Sequence, residues 1–392
     1  MKICFIVDSI FTLGGVQRVV SVLANSLSET NKVDIVCLNE SRGIDRDLYN
    51  LNSDVDVSIR NDLYNRKLKT KIVSKTFKQI NKVMKFFNLN KPERLIPIYY
   101  PKEIQCKVIE FINSNEYDVV IGVEGSLSLL LAIISPKIAC KTIGWQHNST
   151  KAYFKEPNKY LWKREALFEK YIKNLDKYVV LTEQDKCELE NMININNCVR
   201  IYNPLSFSSI QKSRGDKRNI LFVGRLVEEQ KGLDLLIEAF KIINSADDKW
   251  NLIIVGDGPD KEKLIKMINE SGLNNNIFIK EPTNNIVEYY LNSSIFVSTS
   301  RWEGFGLVII EAMECGLPVV AFNNSGPKEI IDKNNENGIL INDYNVNELA
   351  YNIIKLMKNK GKREEISQNA IIRAKSYNID SILDQWLNLI MD

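Results

Sequence analysis

What most constrains this chain is a repeated grammar rather than a repeated word. Short apolar runs alternate with stretches whose apolar side chains recur at helical spacing, from one end to the other. A parallel strand buried on both faces reads as a near-continuous apolar run, and reaching the next parallel strand requires a crossover, usually a helix. The alternation therefore predicts an α/β protein whose parallel sheets are covered by helices on both faces. One series of strands is expected at 2–7, 33–38, 55–59, 118–123, 141–145 and 178–181. A second is expected at 219–223, 251–255, 277–279, 295–299, 318–321 and 338–341.

Between the two series, Asn203-Pro204 leads into a polar stretch with Ser206, Ser208, Ser209, Lys212, Ser213, Gly215 and Asp216, which reads as a linker. The expected organisation is a first domain over 1–203, a second over 204–376, and a final helix over 377–392. That helix carries Ile382, Leu383, Trp386, Leu387 and Ile390 on one face and needs a partner surface. Doubly wound sheets bind ligands at the carboxyl ends of their strands, so chemistry is sought in the loops that follow them.

The 392 residues, 44% of them hydrophobic and 26% charged, can bury large cores and exclude a disordered chain. The longest apolar stretch, Leu127 to Ile134 with Ser128 inside it, is far short of the ~20 residues that cross a bilayer. Met1 to Asp8 reads as a buried strand rather than a secretory signal, and the expected location is the cytoplasm. The seven cysteines show no C-x-x-C spacing and His147 is the single histidine, so no zinc cluster is expected and the thiols are read as free and buried. Asp54-Val-Asp56 has D-x-D spacing but alternates with Val55, Val57 and Ile59; it reads as one exposed strand face, and no metal is assigned.

Charge is unevenly distributed. Residues 1–202 carry 30 basic against 23 acidic side chains, and the remainder 22 against 26. Between Arg60 and Lys102 twelve basic residues face only Asp62 and Glu93. There Val73, Phe77, Ile80, Met84 and Phe87 share one helical face, flanked by Lys71, Lys75, Lys78, Lys82 and Lys85. A basic amphipathic helix over 71–87 suits an anionic membrane surface, each lysine contributing roughly 1 kcal/mol. The same pattern is written by a core-packed helix with a solvated lysine face. Nucleic acid is not expected as a partner, because no stacking aromatics are interleaved with the lysines.

The richest stretch runs from Thr299 to Val320 and contains Glu303-Gly-Phe-Gly306, with Glu311 eight residues after Glu303. It reads as a strand end, a glycine turn and a helix whose first N–H groups, near Leu307 and Val308, point at an anion. Glu303 and Glu311 bracket that turn, where each could reach a ligand or serve as an ordinary helix and surface acid. Val223-Gly-Arg-Leu-Val-Glu-Glu-Gln-Lys-Gly232 follows the first strand of the second series and places Arg225 and Lys231 at a strand's carboxyl end. Two such cations near a diphosphate would each contribute roughly 4 kcal/mol at an effective dielectric of 20. Val255-Gly-Asp-Gly-Pro259 is a third glycine loop but departs from the dinucleotide fingerprint at Pro259 and Lys261. In the first domain Gly14-Gly15 joins the first strand to a helix, and His147 directly follows an apolar strand.

Together, Gly14-Gly15, Gly224-Arg225 with Lys231, Gly256-Asp-Gly-Pro259, and Glu303-Gly-Phe-Gly-x4-Glu311 followed by Gly316-x-Pro318 resemble the retaining glycosyltransferases of family four, which have the GT-B fold. The resemblance spans nearly the whole chain and is tightest in the second domain. It implies two Rossmann-like domains facing across a cleft, with the last helix crossing back to the first. It also implies transfer of a hexose or N-acetylhexosamine from a nucleotide diphosphate sugar, a UDP-sugar by family frequency, with retention and without a metal or other cofactor.

Carried over by position, the resemblance assigns Arg225 and Lys231 to the diphosphate and leaving group. The backbone amides of Phe305, Gly306, Leu307 and Val308 fall to sugar hydroxyls and phosphate, and Glu311 to the ribose hydroxyls. Glu303 and His147 fall beside the donor sugar, Gly15 at the phosphate, and the base near Lys280 to Thr283. The expected acceptor is a glycan, lipid-linked in surface polysaccharide assembly, with the enzyme peripheral on the inner face of the cytoplasmic membrane. Alternatives are a non-catalytic sugar-nucleotide-binding subunit and a nucleotide-sugar hydrolase or epimerase.

Overall fold

The computed structural model describes residues 1–65, 75–80 and 91–392. They form two compact units, one comprising Met1–Pro204 and Ile379–Asp392, the other Leu205–Asn378. The polar stretch expected as a linker is ordered and belongs to the second unit. The Leu205 N–H donates to the Tyr377 carbonyl at 2.8 Å. The Ser209 N–H donates to Glu314 at 3.0 Å, and Lys212 pairs with the same carboxylate at 2.8 Å. Its low apolar content misleads because charge-assisted hydrogen bonds, rather than buried hydrocarbon, dock it.

In the first unit seven parallel strands run in the order β3-β2-β1-β4-β5-β6-β7. They are β1 Lys2–Val7, β2 Lys32–Cys37, β3 Val55–Ile59, β4 Val119–Val123, β5 Lys141–Trp145, β6 Lys177–Val180 and β7 Cys198–Arg200. The edge strand β7 is three residues long and was not expected; pairing with β6, rather than its own apolar content, makes it a strand. Helix α1 (Gly15–Ser28) follows β1 and buries Val19, Val20, Leu23 and Leu27, at the spacing that fits a single core-facing stripe. Helix α2 (Glu124–Ile134) follows β4 and is buried along Leu127 to Ile134, so the longest apolar run in the chain is a core helix.

Of the expected basic helix 71–87, only 75–80 lie among the described residues; they are helical, with Phe77 39% and Ile80 37% exposed. The Lys78 ammonium stands 5.1 Å from the centre of the Tyr99 ring. Val73, Met84 and Phe87 lie outside the described residues. Among the described residues no helix is long and apolar enough to cross a membrane.

The second unit has six parallel strands in the order β10-β9-β8-β11-β12-β13. They are β8 Asn219–Val223, β9 Asn251–Val255, β10 Ile277–Lys280, β11 Ile295–Ser298, β12 Val319–Phe322 and β13 Ile339–Ile341. Helix α3 (Leu233–Ala246) leads from β8 to β9, and α4 (Leu307–Glu314) leads from β11 to β12. The final helix α5 (Ile379–Met391) belongs to the first unit, where Trp386 is fully buried with its ring centre 4.7 Å from that of Trp145. Burying an indole of ~200 Å² contributes about 5 kcal/mol, and Ile382, Leu389 and Ile390 of the same helix are buried as well, so an apolar face holds it in place.

Strand order reverses in each sheet, between β1 and β4 in the first unit and between β8 and β11 in the second. Connections leave such a pair in opposite directions, which opens a crevice at the strands' carboxyl ends.

Candidate active site

In the second unit that crevice receives the loop after β8 (Gly224–Gly232) and the loop after β11 (Thr299–Gly306). The two are stitched together. The Arg301 N–H donates to the Gln230 carbonyl at 2.7 Å, and the Thr299 hydroxyl to the Lys231 carbonyl at 2.8 Å. The Arg301 guanidinium forks onto Asp234 at 3.0 and 2.6 Å and also donates to the Glu228 carbonyl. Gly232 makes the crossing possible: its φ is +60°, and a Cβ there would stand 2.1 Å from the Thr299 carbonyl oxygen. From the other side the loop after β9 braces Arg225. The Leu226 N–H donates to the Asp257 carbonyl at 2.9 Å, and a Cβ on Gly256 would meet the Gly224 carbonyl oxygen at 1.9 Å. The third glycine loop is thus a buttress for the β8 loop.

Lys231 and Glu303, given separate roles on sequence grounds, form an ion pair with side chains only 14% and 11% exposed. Ser300 donates a further hydrogen bond to the same Glu303 oxygen at 2.7 Å. An ammonium has three donors, so this pairing leaves Lys231 able to hold an anion as well. Arg225 is exposed and its guanidinium has no ion-pair partner among the described residues.

Gly306, with φ +108°, opens α4 without a side-chain cap. The N–H groups of Leu307 and Val308 therefore point out of the helix start with no intrahelical acceptor, which concentrates partial positive charge there. Phe305 is buried, its ring 5.5 Å from that of Tyr377, so only its backbone can face a ligand. Ser325 also grips this turn, its hydroxyl donating to the Glu303 carbonyl at 3.2 Å.

Glu311, expected at the ribose hydroxyls, has its carboxylate occupied by internal hydroxyl groups in this structure. It is fully buried; one oxygen accepts from the Ser206 hydroxyl and the other from the Tyr290 hydroxyl at 3.0 Å.

In the first unit Gly15 is the exposed first residue of α1. The Gly14 N–H donates to the Tyr49 hydroxyl at 2.8 Å, and Tyr49 donates to the Thr12 carbonyl at 2.9 Å, so a tyrosine 35 positions away sets this turn. His147 leaves β5 with its ring 4.3 Å from that of Trp145. Its Nε2 is buried without a hydrogen-bond partner, and burial pushes its pKa down to about 3, so it is neutral across the physiological range. The Tyr153 hydroxyl accepts from the backbone N–H of both Gly125 (3.0 Å) and His147 (3.4 Å), pinning the turns after β4 and β5 to one atom. Neither tyrosine is part of a motif read in the sequence; Tyr49 stands 35 positions from Gly14, and Tyr153 stands 28 from Gly125.

Asp56 faces solvent beside Lys32 at 3.9 Å, and no group of three or more His, Cys, Asp or Glu residues suited to a metal ion occurs among the described residues. What the second unit brings together is the Lys231–Glu303 pair and the uncapped start of α4, with the exposed Arg225 on the same loop as Lys231.

Residues 206–373 match the family of group 1 glycosyl transferases. An uncharacterized glycosyltransferase of Haemophilus influenzae is 30% identical over 320 residues, covering 81% of this chain and 88% of the relative. A Campylobacter jejuni protein, GalNAc-alpha-(1->4)-GalNAc-alpha-(1->3)-diNAcBac-PP-undecaprenol alpha-1,4-N-acetyl-D-galactosaminyltransferase, is 25% identical over 399 residues, 100% of this chain and 99% of that one. Among solved structures, a mutant of S. aureus TarM in complex with fondaparinux, alpha-GlcNAc-glycerol and UDP superposes with a TM-score of 0.79 at 19% identity, covering 100% of both chains.

Proposed function

Because the chain belongs to the group 1 glycosyl transferases and has the GT-B fold, we propose that it transfers a hexose or N-acetylhexosamine from a UDP-sugar to a lipid-linked glycan acceptor, with retention at the anomeric carbon, in surface polysaccharide assembly. The observation that carries this reading is that Lys231, paired with Glu303, and the uncapped start of α4 lie with the Arg225 loop in the elements that follow β8 and β11, the strands of the switch point. As the bond from the anomeric carbon to the diphosphate oxygen breaks, negative charge grows on the diphosphate while the acceptor oxygen bonds to that carbon. The acceptor's hydroxyl proton leaves to the departing diphosphate or to solvent. Cations and helix amides already aimed at the diphosphate need not reorganise, so they stabilise the transition state more than the ground state. In this reading those groups take the place of a divalent metal, and transfer persists in excess chelator.

Glu303 is assigned to the electron-poor sugar, where its charge also holds Lys231. His147, neutral and with a free ring nitrogen, is assigned to a sugar hydroxyl, and Gly15 to the phosphate. Glu311 is assigned to the ribose by exchange: Ser206 supplies the hydroxyl that a ribose would otherwise donate. The polyprenol-linked substrate named for the Campylobacter relative and the UDP in the TarM complex support the acceptor and donor choices. Two carboxylates flanking a scissile bond, as in glycoside hydrolases, do not describe a site where Glu303 and Glu311 stand on one loop and the helix it opens.

Radiolabelled transfer from UDP-sugars to a polyprenol-linked glycan tests the reading. Arg225→Ala, at an exposed position, should leave folding intact and abolish transfer. Undiminished transfer in that variant refutes the site, and turnover without any acceptor favours a hydrolase or epimerase. The basic segment 71–87 is assigned to the inner face of the cytoplasmic membrane. Sedimentation with liposomes should require anionic lipid and fall when Lys75, Lys78 and Lys82 become Glu; equal sedimentation with neutral lipid refutes docking.

A further inference from the structure

The first unit has a switch point of its own, and one residue there is held at a cost that its surroundings do not explain. Glu124 directly follows β4 and opens α2 with φ +68°. The left-handed region is unfavourable for a residue with a Cβ, and Asn, Asp or Gly are the usual occupants. Of the ten described non-glycine residues with positive φ, five are Asn or Asp. The turn is also tightly built. A Cβ on Gly122 would meet the Leu127 carbonyl oxygen at 3.0 Å, and one on Gly125 would meet the Tyr153 ring at 2.0 Å. Strand, strained residue and helix are thus pressed together so that the side chain of the middle residue is presented at the sheet's carboxyl edge, a geometry that serves to display a functional group.

The group displayed is a carboxyl with no hydrogen bond or ion pair among the described residues. Ile6 of β1 pairs with Gly122 of β4, so two positions further on Asp8 and Glu124 leave adjacent strand ends together. Loss of water and then the Asp8 charge push the Glu124 pKa up to about 7. Backbone strain, desolvation and like charge all oppose a glutamate here, and no internal contact offsets them. A carboxyl of this kind is an acceptor for hydroxyl donors, and its flanking turn is fixed by the Tyr153 hydroxyl.

We infer that Glu124 binds a hydroxyl of the sugar acceptor at the carboxyl edge of the first unit's sheet, and so helps to set acceptor affinity. This rests on the transferase reading and concerns acceptor rather than donor. A hydrogen bond to a charged group is worth about 10- to 100-fold in affinity.

The test uses the full chain with octyl β-D-glucoside, galactoside and N-acetylglucosaminide as acceptors, monitored by transfer and by saturation-transfer NMR. Glu124→Gln should raise the acceptor KM at least tenfold and weaken glycoside binding, while UDP affinity by calorimetry stays unchanged. Glu124→Gly should melt higher than wild type, since glycine suits φ +68°, yet lose acceptor binding equally. A merely structural Glu124 predicts the higher melting temperature with acceptor KM unchanged, and that outcome overturns the assignment. Wild-type protein that neither binds nor glycosylates any of the three also overturns it. Loss of UDP binding in wild type would instead refute the donor reading.

Discussion

Replacing Glu303 by Gln should tighten UDP binding while impairing transfer. In the folded protein Lys231 is neutralised by Glu303, with side chains 14% and 11% exposed. A phosphate oxygen taking another of the ammonium's donors would lie about 5 Å from that carboxylate, given ordinary hydrogen-bond lengths and tetrahedral nitrogen. At an effective dielectric of 20, two unit charges at that distance repel by about 3 kcal/mol, falling to about 1 kcal/mol if water fully screens them. Gln keeps the shape, can still accept from Ser300 and Lys231, and removes the repulsion. The UDP Kd measured by calorimetry should therefore drop by roughly 5- to 150-fold, with a smaller gain at 1 M salt, where the Debye length is about 3 Å. The same variant should transfer sugar about a hundredfold more slowly if Glu303 stabilises the electron-poor sugar. Unchanged or weaker UDP binding in a protein of normal melting behaviour would refute the electrostatic account of this pair.

Three further outcomes follow from contacts already described. Gly232→Ala should lose at least about 2 kcal/mol in denaturant titration, because a Cβ would both strain φ +60° and strike the Thr299 carbonyl. Ser206→Ala should tighten UDP binding if its hydroxyl stands in for a ribose hydroxyl at Glu311; a lower melting temperature with unchanged UDP affinity would make Glu311 purely structural. His147 resists protonation until about pH 3, whereas the unfolded chain takes up that proton near pH 6.5. Its contribution is therefore complete above pH 6.5 and declines as pH falls. Wild type should lose about 2 kcal/mol more than His147→Gln between pH 7 and pH 5. Glu124 and Asp185, each pushed up to about 7 by burial, titrate in both proteins, so the difference isolates the histidine.

Strands, glycine turns and the order of elements were legible in the sequence because each is written within a window of about ten residues. Apolar runs such as Asn219-Ile-Leu-Phe-Val223 mark strands wherever they occur, and Gly304 and Gly306 announce a turn by their own permissive backbone. The two-unit architecture and the loops that hold Arg225, Lys231 and Glu303 follow from that local grammar. What only tertiary structure decided is which charges and hydroxyls meet. Lys231 reaches Glu303 across 72 positions, and Ser206 reaches Glu311 across 105. Tyr49 and Tyr153 pin turns that carry no trace of them, and β7 is a strand only because β6 lies beside it. Such contacts depend on the spatial order of strands, β8 next to β11 and β1 next to β4, and hydrophobic periodicity specifies that a strand is buried without specifying its neighbour.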